Sequence, residues 1–320
     1  MKKIALIYMG GTFGCIGEPL SPMPAEHFIP QLQQILPAHL AIECFVAPAI
    51  IDSSACTAEN WLQLIQMIQQ LQLQAYQYFV VLHGTDTLSY ASATLAGFLG
   101  SSAHVVLTGS QSPLLDVTGQ ATRKITDAID NLYFALNSVT TTAAGVYLAF
   151  HQQLIYAQSA LKKHSTELDA FAGIDIRHHV QLQQRNHSVC EADVIKARAF
   201  NCLSVMAQPI AIEQQIINFK NLQRHPPHVL ILQGFGTGNW AMNEDLIQTL
   251  QDIQAQGCAI ILTTQVPFGP MEQRYAVNAW MQHAHILISD CLGHADLYAK
   301  ALKMYLQYDT VEQWHVHWHE

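Results

Sequence analysis

Charge is scarce in this 320-residue chain: only 12% of its residues are charged, and 24 acids outnumber 15 lysines and arginines. The formal net charge of -9 removes the basic face that nucleic-acid phosphates call for. No nucleic-acid partner is expected. Long apolar runs are missing as well. None reaches the roughly 18 residues of a membrane-spanning helix, so no membrane partner is expected. Met1-Lys2-Lys3 leads straight into a short strand pattern, without the longer apolar stretch and cleavage site of a secretory leader. The expected location is cytoplasmic. Seven cysteines (15, 44, 56, 190, 202, 258 and 291) form no CxxC pair and read as buried, reduced thiols. Cys15, close to a glycine-threonine turn, has a reactive thiol as its second reading. Neither a G-x-G-x-x-G nor a GK[ST] loop is present, so no nucleotide cofactor is expected. Seventeen histidines include the alternating tail Trp314-His315-Val316-His317-Trp318-His319, whose histidines would share one face. No HExxH accompanies them. The expectation is adventitious tail binding, with no catalytic metal.

What the chain does have is apolar material, at 50% of residues. That is enough for a sizeable core, and the length is a soft prior for two domains. Strand patterns fall at 3–9, 42–48, 77–83, 103–109 and 144–150. Between them lie helical stripes. Residues 61, 62, 65 and 68 form one, and Ala121, Ile125, Ala128, Ile129 and Leu132 form another. Near-continuous apolar strands separated by helices imply a mostly parallel sheet covered on both faces. The stretch 181–202 is polar and weakly periodic, as a linker would be. The last third repeats the alternation: strands at 229–232, 259–262 and 286–288, a helix capped by Asn243, and a closing helix over 295–307. The expected organisation is a catalytic domain over 1–180, a linker over 181–205 and a smaller α/β, flavodoxin-like domain over 206–320.

Two motifs sit at strand ends. Gly10-Gly11-Thr12-Phe13-Gly14 follows Ile4-Ala5-Leu6-Ile7-Tyr8, and His83-Gly84-Thr85-Asp86-Thr87 follows Tyr78-Phe79-Val80-Val81-Leu82. In an open parallel sheet, chemistry collects just past the C-terminal ends of the strands. Two hydroxyls and a carboxylate presented there suggest acyl transfer by a hydroxyl nucleophile. Gly11 and Gly84 let backbone and substrate approach closely. From the GGT turn alone, Thr12 reads first as a capping residue; the second motif beside it turns the reading to a nucleophile.

The pair of motifs resembles the bacterial-type L-asparaginase family, its cytoplasmic type I branch in particular. Ile51-Asp52-Ser53-Ser54, Gly109-Ser110-Gln111-Ser112-Pro113 and a lysine nine residues before a phenylalanine, Lys162 to Phe171, fit the same family. The resemblance runs from Lys3 to about the last helix. It implies a larger N-terminal and a smaller C-terminal α/β domain, and hydrolysis of L-asparagine to L-aspartate and ammonia without a cofactor. Carried onto this chain, Thr12 becomes the nucleophile and Thr85, Lys162 and Asp86 the activating triad. Ser53 and Ser54 become ligands of the substrate carboxylate at a helix N-terminus. Asn239, in Gly234-Phe235-Gly236-Thr237-Gly238-Asn239, matches a turn that reaches a neighbouring subunit's site, which implies a homodimer or homotetramer. On the residues alone, Lys162 also reads as a surface lysine and Asn239 as a turn residue.

The chain departs from the family in three places, the first being Ala55-Cys56, where Asp-Met is common and neither residue is a primary contact. Family members carry a tyrosine on the lid after the nucleophile, and Cys15 to Pro24 has none. The serine-aspartate-glycine that follows the GSQ segment reads here as Asp116-Val117-Thr118-Gly119. The competing expectations are an asparaginase-glutaminase of broader specificity, a degenerate amino-acid-binding sensor, and, least favoured by the acidic charge, an amidotransferase component.

Overall fold

Every residue from Ile4 to Tyr8 is fully buried, and the run forms β1 (Lys3–Tyr8). In the computed structural model, which describes residues 2–178, 187–269, 271, 280–281 and 284–319, the chain divides into a unit of Met1–Arg198 and a unit of Ala199–Glu320. After β1 the first unit continues with β2 (Cys15–Ile16), β3 (Ser21–Pro22), α1 (Ala25–Gln34), β4 (Ala41–Val46), α2 (Ala58–Leu73), β5 (Tyr78–Leu82) and α3 (Leu88–Leu99). Then come β6 (His104–Thr108), α4 (Ala128–Thr141), β7 (Gly145–Phe150), β8 (Gln153–Tyr156), β9 (Leu161–Lys162), β10 (Phe171–Ala172) and α5 (Glu191–Ala197).

The main sheet has the order β4-β1-β5-β6-β7-β8. Its first five strands, at the positions the apolar runs predict, are parallel. The sixth, β8, is antiparallel to β7 and escapes the sequence pattern. The turn between them uses His151 and Gln152, both at positive φ, where the common hairpin signal is Asn-Gly. Ile4, Leu6 and Tyr8 alternate onto one face, with Val80, Leu82 and Val106, beneath α1 and α4. Ala5, Ile7, Phe79 and Val81 point the other way and are equally buried. Both faces are covered, so the strands read as unbroken apolar runs. Because α4 shares the core of α1 while α3 covers the opposite face, the connections β5–α3–β6 and β6–α4–β7 have opposite hands. One of them takes the hand that parallel crossovers almost never adopt. The detour carries residues 109–127 along the C-terminal edge of the sheet.

Two expectations need correction here. The stripe Ala121 to Leu132 is not one helix. α4 begins only at Ala128, and Ile125 is 87% exposed, because residues 114–127 are spent on turns. The stretch 181–205 is not simply a linker either. Residues 181–186 lie outside the described residues, but Glu191–Ala197 forms α5, which packs on α2 and buries Val194 and Ala197. Asp193 fixes its start by accepting the Cys190 N–H at 2.9 Å.

The second unit contains β11 (Cys202–Met206), α6 (Ile212–Leu222), β12 (Val229–Gly234), α7 (Glu244–Gln254), β13 (Ala259–Thr264), β14 (Leu287–Ile288), α8 (His294–Gln307) and α9 (Val311–His317). Its described strands lie in the order β11-β12-β13-β14, all parallel. Asn243 caps α7, its side chain accepting the Leu246 N–H. The alternating tail is a helix: Trp314 and Trp318 are buried, and His315 and His317 point to nearly opposite sides. Among the described residues no helix is long and apolar enough to cross a membrane.

Candidate active site

Strand order brings the C-terminal ends of β4, β1, β5 and β6 side by side, and pairing continues past them. The Met9 N–H donates to the Leu82 carbonyl and the His83 N–H to the Thr108 carbonyl, each at 2.9 Å. Gly10 and Gly11 then turn the chain at φ +94° and +80°, a region glycine enters without steric cost. A Cβ on Gly11 would fall on the backbone of Gly84, and a Cβ on Gly84 would fall on the Ser53 side chain. Backbone contact between two glycines thus sets the loops of Thr12, Ser53 and Thr85 against one another.

Lys162 closes the cluster. Its Nζ donates to Thr85 Oγ1 at 3.0 Å and to Asp86 Oδ1 at 2.8 Å. The nine-residue spacing to Phe171 has a simple cause: β9 and β10 form an antiparallel pair in which Lys162 faces Phe171. Asp86 is 59% exposed, and an ion pair that wet contributes at most about 1 kcal/mol. The pair therefore adds little to stability, and its geometric effect is to hold the lysine beside Thr85. Thr85 is buried, and its hydroxyl donates onward to Gln111 Oε1 at 3.4 Å. Ser53 accepts the Asp86 N–H on Oγ at 3.3 Å and the Thr87 hydroxyl on its carbonyl at 2.7 Å. Thr12, half-buried in a short 3-10 turn, has a hydroxyl with no hydrogen-bond partner among the described residues.

The structure separates the two serines expected to act together. Ser54 is exposed, and both its N–H (2.8 Å) and its hydroxyl (2.6 Å) donate to Asp52 Oδ1. These bonds hold Asp52 below the usual carboxylate range. The helix there is a three-residue 3-10 turn, too short to act as an extended dipole. Asn239 belongs to the second unit. It closes a turn with Phe235 through mutual backbone bonds of 2.9 and 2.7 Å. With Phe235, Gln215, Ile210 and Trp240 it lines a cavity of about 310 Å³.

Sequence reasoning missed what supports these residues. His83 is completely buried, and burial lowers its imidazole pKa to about 4. Its neutral tautomer follows from its partners: Nδ1–H donates to the Gly84 carbonyl at 2.8 Å, and Nε2 accepts from Trp61 Nε1 at 3.2 Å. Asp127 accepts the N–H groups of Gln111 and Ser112, each at 2.9 Å. Thr126-Asp127-Ala128, not residues 116–119, therefore fastens the GSQ segment. Asp116 instead folds an exposed turn on itself, accepting from Thr118 and Gln120. The thiol of Cys15 donates to the Gly11 carbonyl at 3.3 Å, and burial pushes its pKa up, against a reactive role.

The segment expected as a lid is a small hairpin of β2 and β3. It is tied down by Gly17 N–H to the Val117 carbonyl at 3.2 Å and by Met23 N–H to the Gly14 carbonyl at 2.9 Å. Beneath it the buried Tyr8 hydroxyl lies where a Cβ on Gly14 would fall.

Comparison with known proteins identifies the family and the fold. Residues 3–194 match the family model described as Asparaginase, N-terminal. L-asparaginase 1 of Escherichia coli (strain K12) is 26% identical over 324 residues, covering 96% of this chain and 91% of that protein. The thermostable L-asparaginase from Thermococcus kodakarensis shares the fold, with a TM-score of 0.79, 22% identity and coverage of 97% and 95%. L-asparaginase I from Vibrio cholerae does so with a TM-score of 0.78, 21% identity and coverage of 100% and 97%. With more than half of its length inside the family match, and with both glycine-threonine loops at adjacent strand ends, this chain belongs to the asparaginase family.

Proposed function

We propose that the protein hydrolyses the side-chain amide of L-asparagine through a threonyl ester on Thr12. The observation that carries this reading is the bridge of Lys162 Nζ between Thr85 Oγ1 and Asp86 Oδ1. The Thr12 hydroxyl attacks the carboxamide carbon, and the C–N bond breaks. The hydroxyl proton leaves with the nitrogen as ammonia, relayed by Thr85 and Lys162. Water then adds to the ester, aspartate departs, and Thr12 regains its proton. A threonine hydroxyl needs such help because it is a poor nucleophile at neutral pH, and proton transfer by positioned groups typically contributes about 10²–10⁴-fold.

The same residues read the substrate's charged end. Lys162 takes Asp86 Oδ1 and leaves the carboxylate's second oxygen for the α-ammonium group. Ser53 and nearby N–H groups suit the α-carboxylate, with Ser54 as a structural neighbour, and Gly11 and Gly84 allow close approach. Asn239 completes the site of an adjacent subunit in a homodimer or homotetramer, as its turn in the family implies. L-Glutamine keeps both charged groups but displaces its amide, so it reacts more slowly. One methylene is worth only about 1–3 kcal/mol of discrimination. The absence of a lid tyrosine favours a second reading, an amino-acid-binding homologue without turnover; the intact lysine bridge favours catalysis.

Ammonia release separates the two. The purified protein is expected to release ammonia from L-asparagine without added metal or nucleotide, and Lys162→Met is expected to lose most of that activity while staying folded. Succinamate, which lacks the ammonium group, is expected to be a very poor substrate. No ammonia from asparagine, together with measurable asparagine binding, would establish the sensor reading instead.

A further inference from the structure

An aspartate that does not cap its own helix calls for an explanation. Asp127 occupies the N-cap position of α4, yet its carboxylate makes no cap bond. Thr126 takes that role, its hydroxyl accepting the Ala128 N–H at 3.1 Å. Asp127 is only 8% exposed, where an unpaired charge is costly. Both of its oxygens are bonded elsewhere. Oδ2 accepts the Gln111 N–H and Oδ1 the Ser112 N–H, each at 2.9 Å. Asn131 Nδ2, one helical turn on, adds a third bond to Oδ2 at 3.1 Å. Asn131 also donates to the Gly109 carbonyl at 3.0 Å and accepts the His151 N–H at 2.9 Å. The first turn of α4 therefore pins the loop after β6 and the turn after β7 together.

The pinned residue reaches the lysine bridge. Gln111 Oε1 accepts from Thr85 Oγ1, and Gln111 Nε2 donates to the carbonyls of Ser165 and Glu167 at 3.2 and 3.0 Å. Those carbonyls belong to the loop between β9 and β10, which starts one residue after Lys162. The loop is closed at its base by Lys163 N–H to the Ala170 carbonyl at 2.8 Å and by the Lys163–Asp169 ion pair. With Thr85 accepting from Lys162 on one side and donating to Gln111 on the other, both ends of the Thr85–Lys162 bond are referred to one carboxamide.

We propose that Asp127 is a positioning residue: by fixing the Gln111 backbone it sets the carboxamide that holds the Lys162 loop and the Thr85 hydroxyl in register. The proposal rests on the triad reading of Thr85, Lys162 and Asp86. Asp127→Asn keeps an acceptor for one N–H but turns an NH₂ group against the other. Gln111→Leu, at a half-buried position, removes the carboxamide and leaves Asp127 intact.

The test measures ammonia release by the full-length protein for wild type, Lys162→Met, Asp127→Asn, Gln111→Leu and the Asp127→Asn/Gln111→Leu double variant. Misplacing a relay group by a fraction of its bond length is expected to lower kcat about tenfold to a hundredfold. KM is expected to change less than about threefold, since Ser53 and the free oxygen of Asp86 still bind substrate. Because Asp127 acts through Gln111, the double variant is expected to be no slower than the worse single variant by more than about twofold. Deuterium uptake at the Lys163 and His164 amides is expected to rise in both single variants. Wild-type kcat in Gln111→Leu and Asp127→Asn, with Lys162→Met inactive, would overturn the proposal and leave the triad standing. Losses that multiply in the double variant would overturn it as well. An active Lys162→Met would sink the triad instead, and the uptake comparison would still judge the clamp. Should Asp127→Asn fail to fold, Asp127→Glu, which keeps the charge and moves the carboxylate by one methylene, takes its place in both readouts and in the double variant.

Discussion

The two glycine-threonine loops lie on neighbouring strands, yet they are built in opposite ways. The loop after β5 is saturated with bonds. Thr85 is buried and bonded to Lys162 and Gln111, His83 is locked between the Gly84 carbonyl and Trp61, and Thr87 is tied to Ser53. The loop after β1 has positive-φ glycines, backbone bonds and a half-exposed threonine whose hydroxyl has no partner among the described residues. A group that must swing onto a carbonyl carbon profits from having no bond to break first. A group that must pass a proton along profits from being held. The contrast is the physical argument for placing attack at Thr12 and relay at Thr85.

The sharpest way to break that comparison is to exchange the two hydroxyls for methyl-sized side chains. Thr12→Ala is expected to lower kcat for asparagine by at least about a thousandfold, since covalent attack is gone. Thr85→Ala is expected to lose about 10²–10⁴-fold and to retain single-turnover acylation at a slow rate. Rapid-quench measurement of a covalent asparagine-derived adduct checks this. An adduct that forms in Thr12→Ala and not in Thr85→Ala would reverse the assignment.

A smaller effect separates the loops by pH. The second loop stands on a buried histidine, and the first does not. In the unfolded chain His83 takes up a proton near pH 6.5; in the folded chain burial delays this to about 4. Between those values the unfolded state binds more protons. Stability from this residue is therefore intact above about pH 6.5, falls as pH falls towards about 4, and is flat below. The loss is on the order of 3 kcal/mol. Denaturant midpoints at pH 7 and pH 4.5, for wild type and His83→Gln, measure it. Equal pH sensitivity in the two proteins would remove His83 as the cause.

The smallest expected effect concerns the serines beside the loops. Ser54→Ala removes bonds to an exposed Asp52 and is expected to change kcat/KM less than about twofold, with stability within about 0.5 kcal/mol. Ser53→Ala removes the acceptor of the Asp86 N–H and a group suited to the substrate carboxylate, and is expected to raise KM about tenfold or more. Similar KM values for the two variants would mean that the serines act as the pair the sequence suggests.

How far this was legible depends on what each feature leaves in the sequence. Five parallel strands are visible because burial on both faces forces continuous apolar runs, and Thr12, Thr85, Asp86 and Lys162 lie in motifs with recognisable order. The Asp127 clamp left no such mark. Its bonds go to backbone N–H groups of Gln111 and Ser112, which any residue type supplies, and its own segment resembled a continuing helix. The tail misled for a related reason. Trp-His alternation has the period of a strand, but the two tryptophans, four residues apart, also fit one side of a helix, and burial of Trp314 and Trp318 decided between the two.

One feature of the fold bears on how this protein can be altered. Gly11 and Gly84 touch backbone to backbone, so the spacing between the two threonine loops contains no rotatable side chain. It offers no graded adjustment: the smallest possible substitution at Gly11 already places an atom where the Gly84 backbone lies. Selection for a new amide substrate, in nature or in a library, is thereby excluded from the ground on which the two hydroxyls stand. It is left with the surrounding walls: the β2–β3 hairpin, residue 111 and the loop that follows Lys162.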